Sequence, residues 1–132
     1  MFDSITRGVT LAGTVTHQTA IAQGVALAAT VAHETAREKG FWQDYDKAEA
    51  VGMADGVREA FLSQKLALIM TEVAEAVEDL RKGNDDHLAE ELADIIIRTL
   101  DLGEALRYDM GEALVRKMRT NATRTRKHGK SF

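Results

Sequence analysis

Thr71-Glu72-Val73-Ala74-Glu75, Arg81-Lys82-Gly83-Asn84-Asp85-Asp86 and Glu90-Glu91-Leu92-Ala93-Asp94 decide how this chain folds. Glu72 and Glu75 are three residues apart, as are Glu91 and Asp94, so each pair shares one face of a helix. The segment between them has helix-stop and helix-start chemistry: two basic residues, a Gly, then cap-forming Asn and Asp. The pattern predicts an antiparallel helical hairpin turning near Gly83 and Asn84. Equal distance from the turn means equal height, so Glu75 is expected opposite Glu91 and Glu72 opposite Asp94.

The apolar stripes agree with that register. Leu62, Leu66, Ile69, Val73, Ala76 and Leu80 mark one helix, and Leu88, Leu92, Ile95, Thr99, Leu102 and Leu106 the next. At about 100° per residue both acidic pairs lie to the same side of their stripes. Glu72, Glu75, Glu91 and Asp94 would then crowd together and repel unless a cation compensates them. An all-oxygen set suits a hard ion such as Mg²⁺, with Mn²⁺ as a substitute. A di-iron bundle would need Glu-x-x-His, which neither pair supplies.

The ordered set resembles the MazG-type all-α nucleoside triphosphate pyrophosphohydrolases, from about Phe41 to the end of the chain. The residues that carry the likeness are Lys65-Leu-Ala-Leu-Ile-Met-Thr-Glu-Val-Ala-Glu-Ala, Glu91-Leu-Ala-Asp-Ile-Ile-Ile-Arg-Thr-Leu-Asp-Leu, and Lys117-Met-Arg-Thr-Asn-Ala-Thr-Arg with Lys127-His-Gly-Lys. One departure is visible: where many members have a further Glu ahead of the leading one, this chain has Thr71. The resemblance implies hydrolysis of a nucleoside triphosphate to monophosphate and pyrophosphate, with the four carboxylates as metal ligands. It also points to a homodimer or homotetramer that completes a four-helix-bundle-like site across subunits.

Composition sets the outer limits. The 132 residues carry a net charge of −4, no Cys and no Pro. Absence of Cys excludes disulfides, zinc–thiolate sites and a thiol nucleophile. Absence of Pro beside abundant Ala, Leu, Glu, Lys and Arg predicts an all-α fold, read as a single domain over 1–132. No apolar run has membrane-spanning length. Asp3 and Arg7 interrupt any signal-peptide pattern, so a cytoplasmic protein with no membrane partner is expected.

The remaining segments read as follows. Residues 1–13 are an ambiguous lead-in, and an Ala-rich helix runs from Val15 to Glu38 with Gly40 as its cap. Phe41 and Trp42 offer aromatic faces for a nucleobase, with His33 near enough in sequence to reach the base edge. Residues 43–57 read as a loop, with at most a helical turn near Ala48–Met53. Asp101, seven residues past Asp94, is expected at the height of Lys65 and in a salt bridge with it. Asp109 and Glu112 have capping-box spacing and should start a last helix to about Thr123. Lys117, Asn121 and Arg124 then share a face, with Lys127 and Lys130 in a basic tail over 124–132. These residues are candidates to hold the phosphates of a triphosphate. Two other readings stay open on sequence alone: a non-catalytic metal- or nucleotide-binding helical oligomer, and a nucleic-acid-binding module that uses the basic tail. The net negative charge disfavours the second.

Overall fold

The computed structural model describes residues 11–125, with side chains from residue 17 onward. These residues form α1 (Leu11–Glu38), α2 (Gln43–Val51), α3 (Val57–Lys82), α4 (Asp85–Ala105) and α5 (Met110–Ala122), with no strand among them. The fold is all-α, as expected. Residues 1–10 of the expected lead-in, and Lys127 and Lys130 of the tail, lie outside the described residues. No helix among the described residues is long and apolar enough to cross a membrane.

The chain divides into two compact units, Ala28–Arg107 and the segment up to Leu27 taken with Tyr108 onward. The α3–α4 hairpin organises the first. Gly83 ends α3 with φ of 73°, a left-handed conformation in which a Cβ would be strained. The Asn84 N–H donates to the Asp79 carbonyl at 2.9 Å and the Gly83 N–H to that of Leu80 at 3.2 Å. The orphan carbonyls at the helix end are thereby satisfied, and the chain turns at once into α4. Asn84 departs from its expected capping role: its side chain makes no cap bond and lies 3.4 Å from the Asp79 carboxylate. Beyond the turn, Glu72 meets Arg98, and farther out Lys65 feels the charge of Asp101. The pairing moves away from the turn along both helices together, which is antiparallel packing.

The rotation of α3 differs from the expected one. Its protected side runs through Leu62, Ile69, Glu72 and Ala76, while Leu66, Met70, Val73, Val77 and Leu80 are 46–71% exposed. Leu92 and Ile96 of α4 are exposed as well. The stripe is wider than one helix–helix contact covers. α3 therefore turns Glu72 inward toward Arg98 and leaves a seam of alternating three- and four-residue spacing bare.

Where a loop is expected over 43–57, the structure has helix α2. The segment is short and polar, so periodicity does not reveal it. Asp44 and Asp46 in its first turn suit the positive end of the helix dipole. Asp46 also accepts from Arg37 Nη2 at 2.7 Å. Tyr45 anchors it edge-on between Trp42 and Phe61. Gly52, with φ of 84°, ends it.

In the second unit, the Asp109 carboxylate accepts the Glu112 N–H at 2.9 Å, which is the expected start signal of α5. Arg119 Nε donates to Gln18 Oε1 at 2.9 Å. Gly111 is buried against α1, where an added Cβ would lie 2.1 Å from the Ala22 carbonyl oxygen. The backbones meet there because neither residue has bulk, which accounts for part of the small-residue content of α1.

Gly111→Ala should therefore lower stability by at least the roughly 1–3 kcal/mol typical of overpacking. Urea unfolding of the variant checks this. An unchanged midpoint would mean that the α1–α5 contact relaxes freely.

Candidate metal centre

The hairpin gathers acids in one place. One carboxylate oxygen from each of Glu72, Glu91 and Asp94 lies within 4.8 Å of the other two. Glu72 is buried, Glu91 half-buried and Asp94 exposed, so the group opens from protein toward solvent. Glu72 comes from α3; Glu91 and Asp94 come from successive turns of α4. Glu75 is exposed and outside this trio, yet its charge still acts on Glu91. The register thus brings Glu72 to both Glu91 and Asp94, with Glu75 near enough to act on Glu91.

Electrostatics marks Glu91 as the stressed member. Burial pushes its carboxyl above the ordinary value, and the hydrogen bond shared with Glu72 and the charges of Glu75, Glu72 and Asp79 push the same way. Its Oε2 is shielded from solvent and has no hydrogen-bond partner among the described residues. A buried acceptor without a donor is costly. The donor set is all oxygen and clustered within ligand-to-ligand reach, and one of its members, Glu91, carries this unpartnered atom. It fits a hard divalent cation.

A residue with no role in the sequence reading completes the site. Arg98 Nε donates to Glu72 Oε1 at 2.6 Å. Its position, four residues after Asp94 and seven after Glu91, sets it on their helix face, and that spacing was the available signal.

The expected base-binding residues separate. Trp42 is 2% exposed and Phe41 68%. The Trp42 Nε1–H donates to Asp101 Oδ1 at 2.9 Å, and His33 Nδ1 lies 2.7 Å from the same oxygen. A carboxylate oxygen only accepts, so Nδ1 carries the proton of that bond. The His33 ring also meets Trp42 edge-on. Lys65 Nζ sits 4.2 Å from the centre of the indole and donates to the Phe41 carbonyl at 2.7 Å. The expectation that Trp42 stacks on a base is therefore corrected: its ring is packed, and of the aromatic pair only Phe41 presents an open surface. The expected Asp101–Lys65 salt bridge is likewise replaced, because Asp101 is taken by the indole and imidazole donors. Burial lowers the Lys65 ammonium below its ordinary value and Arg98 adds to this, while Asp101 opposes it.

Lys117 and Asn121 lie exposed on α5, and Arg124 follows its end, with the Arg124 N–H bonded to the Asn121 carbonyl at 3.2 Å. They belong to the other unit. An open depression of about 510 Å³, lined by Tyr45, Glu49, Met53, Asp55, Arg58 and Glu59 among others, contains none of the expected site residues.

These environments predict two outcomes. Glu91→Gln should raise the thermal midpoint of the metal-free protein near neutral pH. The raised carboxyl means that folding disfavours its charged form. That penalty is fully present above the folded-state pKa and absent below the unfolded one, so the gain should vanish as the medium is acidified through the carboxylate range. Thermal scans at several pH values decide it, and a pH-independent gain would point to packing instead. Trp42→Ala should cost about 3–5 kcal/mol in urea unfolding, as for other buried aromatics. A loss under 1 kcal/mol, about the range of surface substitutions, would contradict its place in the core.

A family model described as the MazG-like family matches residues 65–131, which is 67 of the 132 residues. No curated protein and no solved structure gives a significant match. The family generally uses a divalent metal and suggests a nucleoside triphosphate pyrophosphohydrolase type of function. The matched region contains Glu72, Glu75, Glu91, Asp94 and Arg98, and on it the chain belongs to the MazG-like family.

Proposed function

We propose that this protein hydrolyses nucleoside triphosphates to the monophosphate and pyrophosphate in a Mg²⁺-dependent reaction. The observation that carries the reading is the gathering of one carboxylate oxygen each from Glu72, Glu91 and Asp94 within 4.8 Å, with Glu91 Oε2 lacking a hydrogen-bond partner among the described residues. Membership of the MazG-like family supports it. Glu72, Glu91 and Asp94 would hold the ion. When bound, Mg²⁺ supplies charge neutralisation for the triphosphate and a more acidic water. In this reading Glu75, exposed and outside the trio, would orient the attacking water and accept its proton. That water's oxygen bonds to the α-phosphorus, the bond to the bridging oxygen breaks, and pyrophosphate leaves. Lys117, Asn121 and Arg124, with Lys127 and Lys130, remain the candidate phosphate-binding residues of this reading. Phe41 borders the base. Positioning and charge stabilisation do most of the work in such a reaction.

The working form in this reading is a homodimer. Leu66, Met70, Val73, Val77 and Leu80 of α3 repeat at coiled-coil spacing and are exposed, with Leu92 and Ile96 on the following helix. A second copy of the hairpin has the matching face and would complete a four-helix arrangement.

Replacing Glu72 or Glu91 with Gln should reduce turnover by more than the roughly 10–100-fold cost of losing an outer-shell partner, with helical content unchanged. Chromatography of the reaction should show monophosphate and pyrophosphate. Diphosphate with orthophosphate as the main products would refute the attack site. Metal binding without any turnover would return the protein to the non-catalytic reading. Val73→Glu combined with Val77→Glu should yield monomers in sedimentation velocity. A dimer that survives both changes would mean that another face joins the subunits.

A further inference from the structure

Glu72 already has a cation, and it is part of the protein. The Arg98 guanidinium donates to Glu72 Oε1 at 2.6 Å, and Glu72 is also a member of the oxygen trio. The two partners differ in freedom. The Glu72 side chain is 9% exposed and the Arg98 side chain 41%. Glu72 is held in the hairpin and cannot follow a partner outward. Arg98 is long and already reaches solvent, so it can withdraw into water without leaving its own charge buried. Arg98 also does not balance the cluster. One guanidinium, bonded to Glu72, stands against the three carboxylates of Glu72, Glu91 and Asp94, Glu75 adds its field at Glu91, and Glu91 Oε2 has no hydrogen-bond partner among the described residues.

We propose that Arg98 is the resident counter-ion of the metal centre: it neutralises Glu72 while the centre is metal-free and yields Glu72 when a divalent cation binds. This rests on the metal-site reading above. The exchange has a definite consequence. Metal binding must break a charge-assisted hydrogen bond, so the affinity measured for the metal is weaker than the carboxylates alone would give. In return, the metal-free hairpin keeps a partner for its most buried acid.

The test uses the full chain without nucleotide. Mn²⁺ is titrated calorimetrically into the wild type, Arg98→Ala and Arg98→Lys at fixed pH and ionic strength. Arg98→Ala should bind Mn²⁺ roughly ten-fold tighter or more, the worth of a charge-assisted hydrogen bond. Arg98→Lys, which keeps the charge but loses the Nε–H, should fall between. The metal-free thermal midpoint of Arg98→Ala should lie below that of the wild type, and the gap should close at saturating Mn²⁺. Equal or weaker Mn²⁺ binding in the variants, with the wild type binding, would overturn the exchange and leave the metal site standing. If Arg98→Ala does not fold, Arg98→Lys carries the same decision. A wild type that binds no Mn²⁺ would bring down the metal-site reading and the exchange with it.

Discussion

Carboxylates held within 4.8 Å of one another repel, and that repulsion constrains the whole α3–α4 hairpin. A tight Schellman-type turn at Gly83 and Asn84 fixes the register that brings them together. Packing of the hairpin then buries Glu72 to 7% exposure, which a free carboxylate does not tolerate without a partner. Arg98 meets that need from the facing helix. At Glu91, burial, the hydrogen bond shared with Glu72 and the neighbouring carboxylates raise the carboxyl, and Oε2 has no hydrogen-bond partner among the described residues. The proposed divalent cation would relieve that repulsion.

Much of this was legible in the chain itself. Gly83 with the basic residues before it, and the acidic pairs on either side, encode the turn and the approximate heights. Asp109 and Glu112 encode the start of α5. Local signals of this kind act over a few residues, so they survive folding. What depended on rotation and on distant partners was harder to read. Glu72 and Glu75 look equivalent in sequence, yet one is buried and the other exposed, because α3 turns its polar edge toward α4. Arg98 was missed although its spacing placed it on the acidic face. Helix α2 was missed because its stability comes from Tyr45 packing and the Arg37–Asp46 bond, and neither appears as a periodic pattern.

The aromatic residues teach a related point. Phe41 and Trp42 are adjacent and chemically alike, but only one of them is buried. Trp42 has an N–H to satisfy, and Asp101 and Lys65 come from α4 and α3 to enclose it. Asp101 accepts from the indole and the imidazole on one oxygen, which ties the end of α1 to α4. The network supports the hairpin from the end opposite Gly83. The apolar seam of α3 stays outside both this network and the acidic group, and it is the face that the proposed homodimer would cover.

The central claim is that Glu72, Glu91 and Asp94 form a divalent-metal site. Electron paramagnetic resonance of free Mn²⁺ tests it most directly, because bound ion loses the sharp aqueous signal. Adding the wild-type protein should quench that signal saturably, and the combined Glu72→Gln, Glu91→Gln and Asp94→Asn variant should leave it intact. Equal quenching by the two proteins would contradict the account.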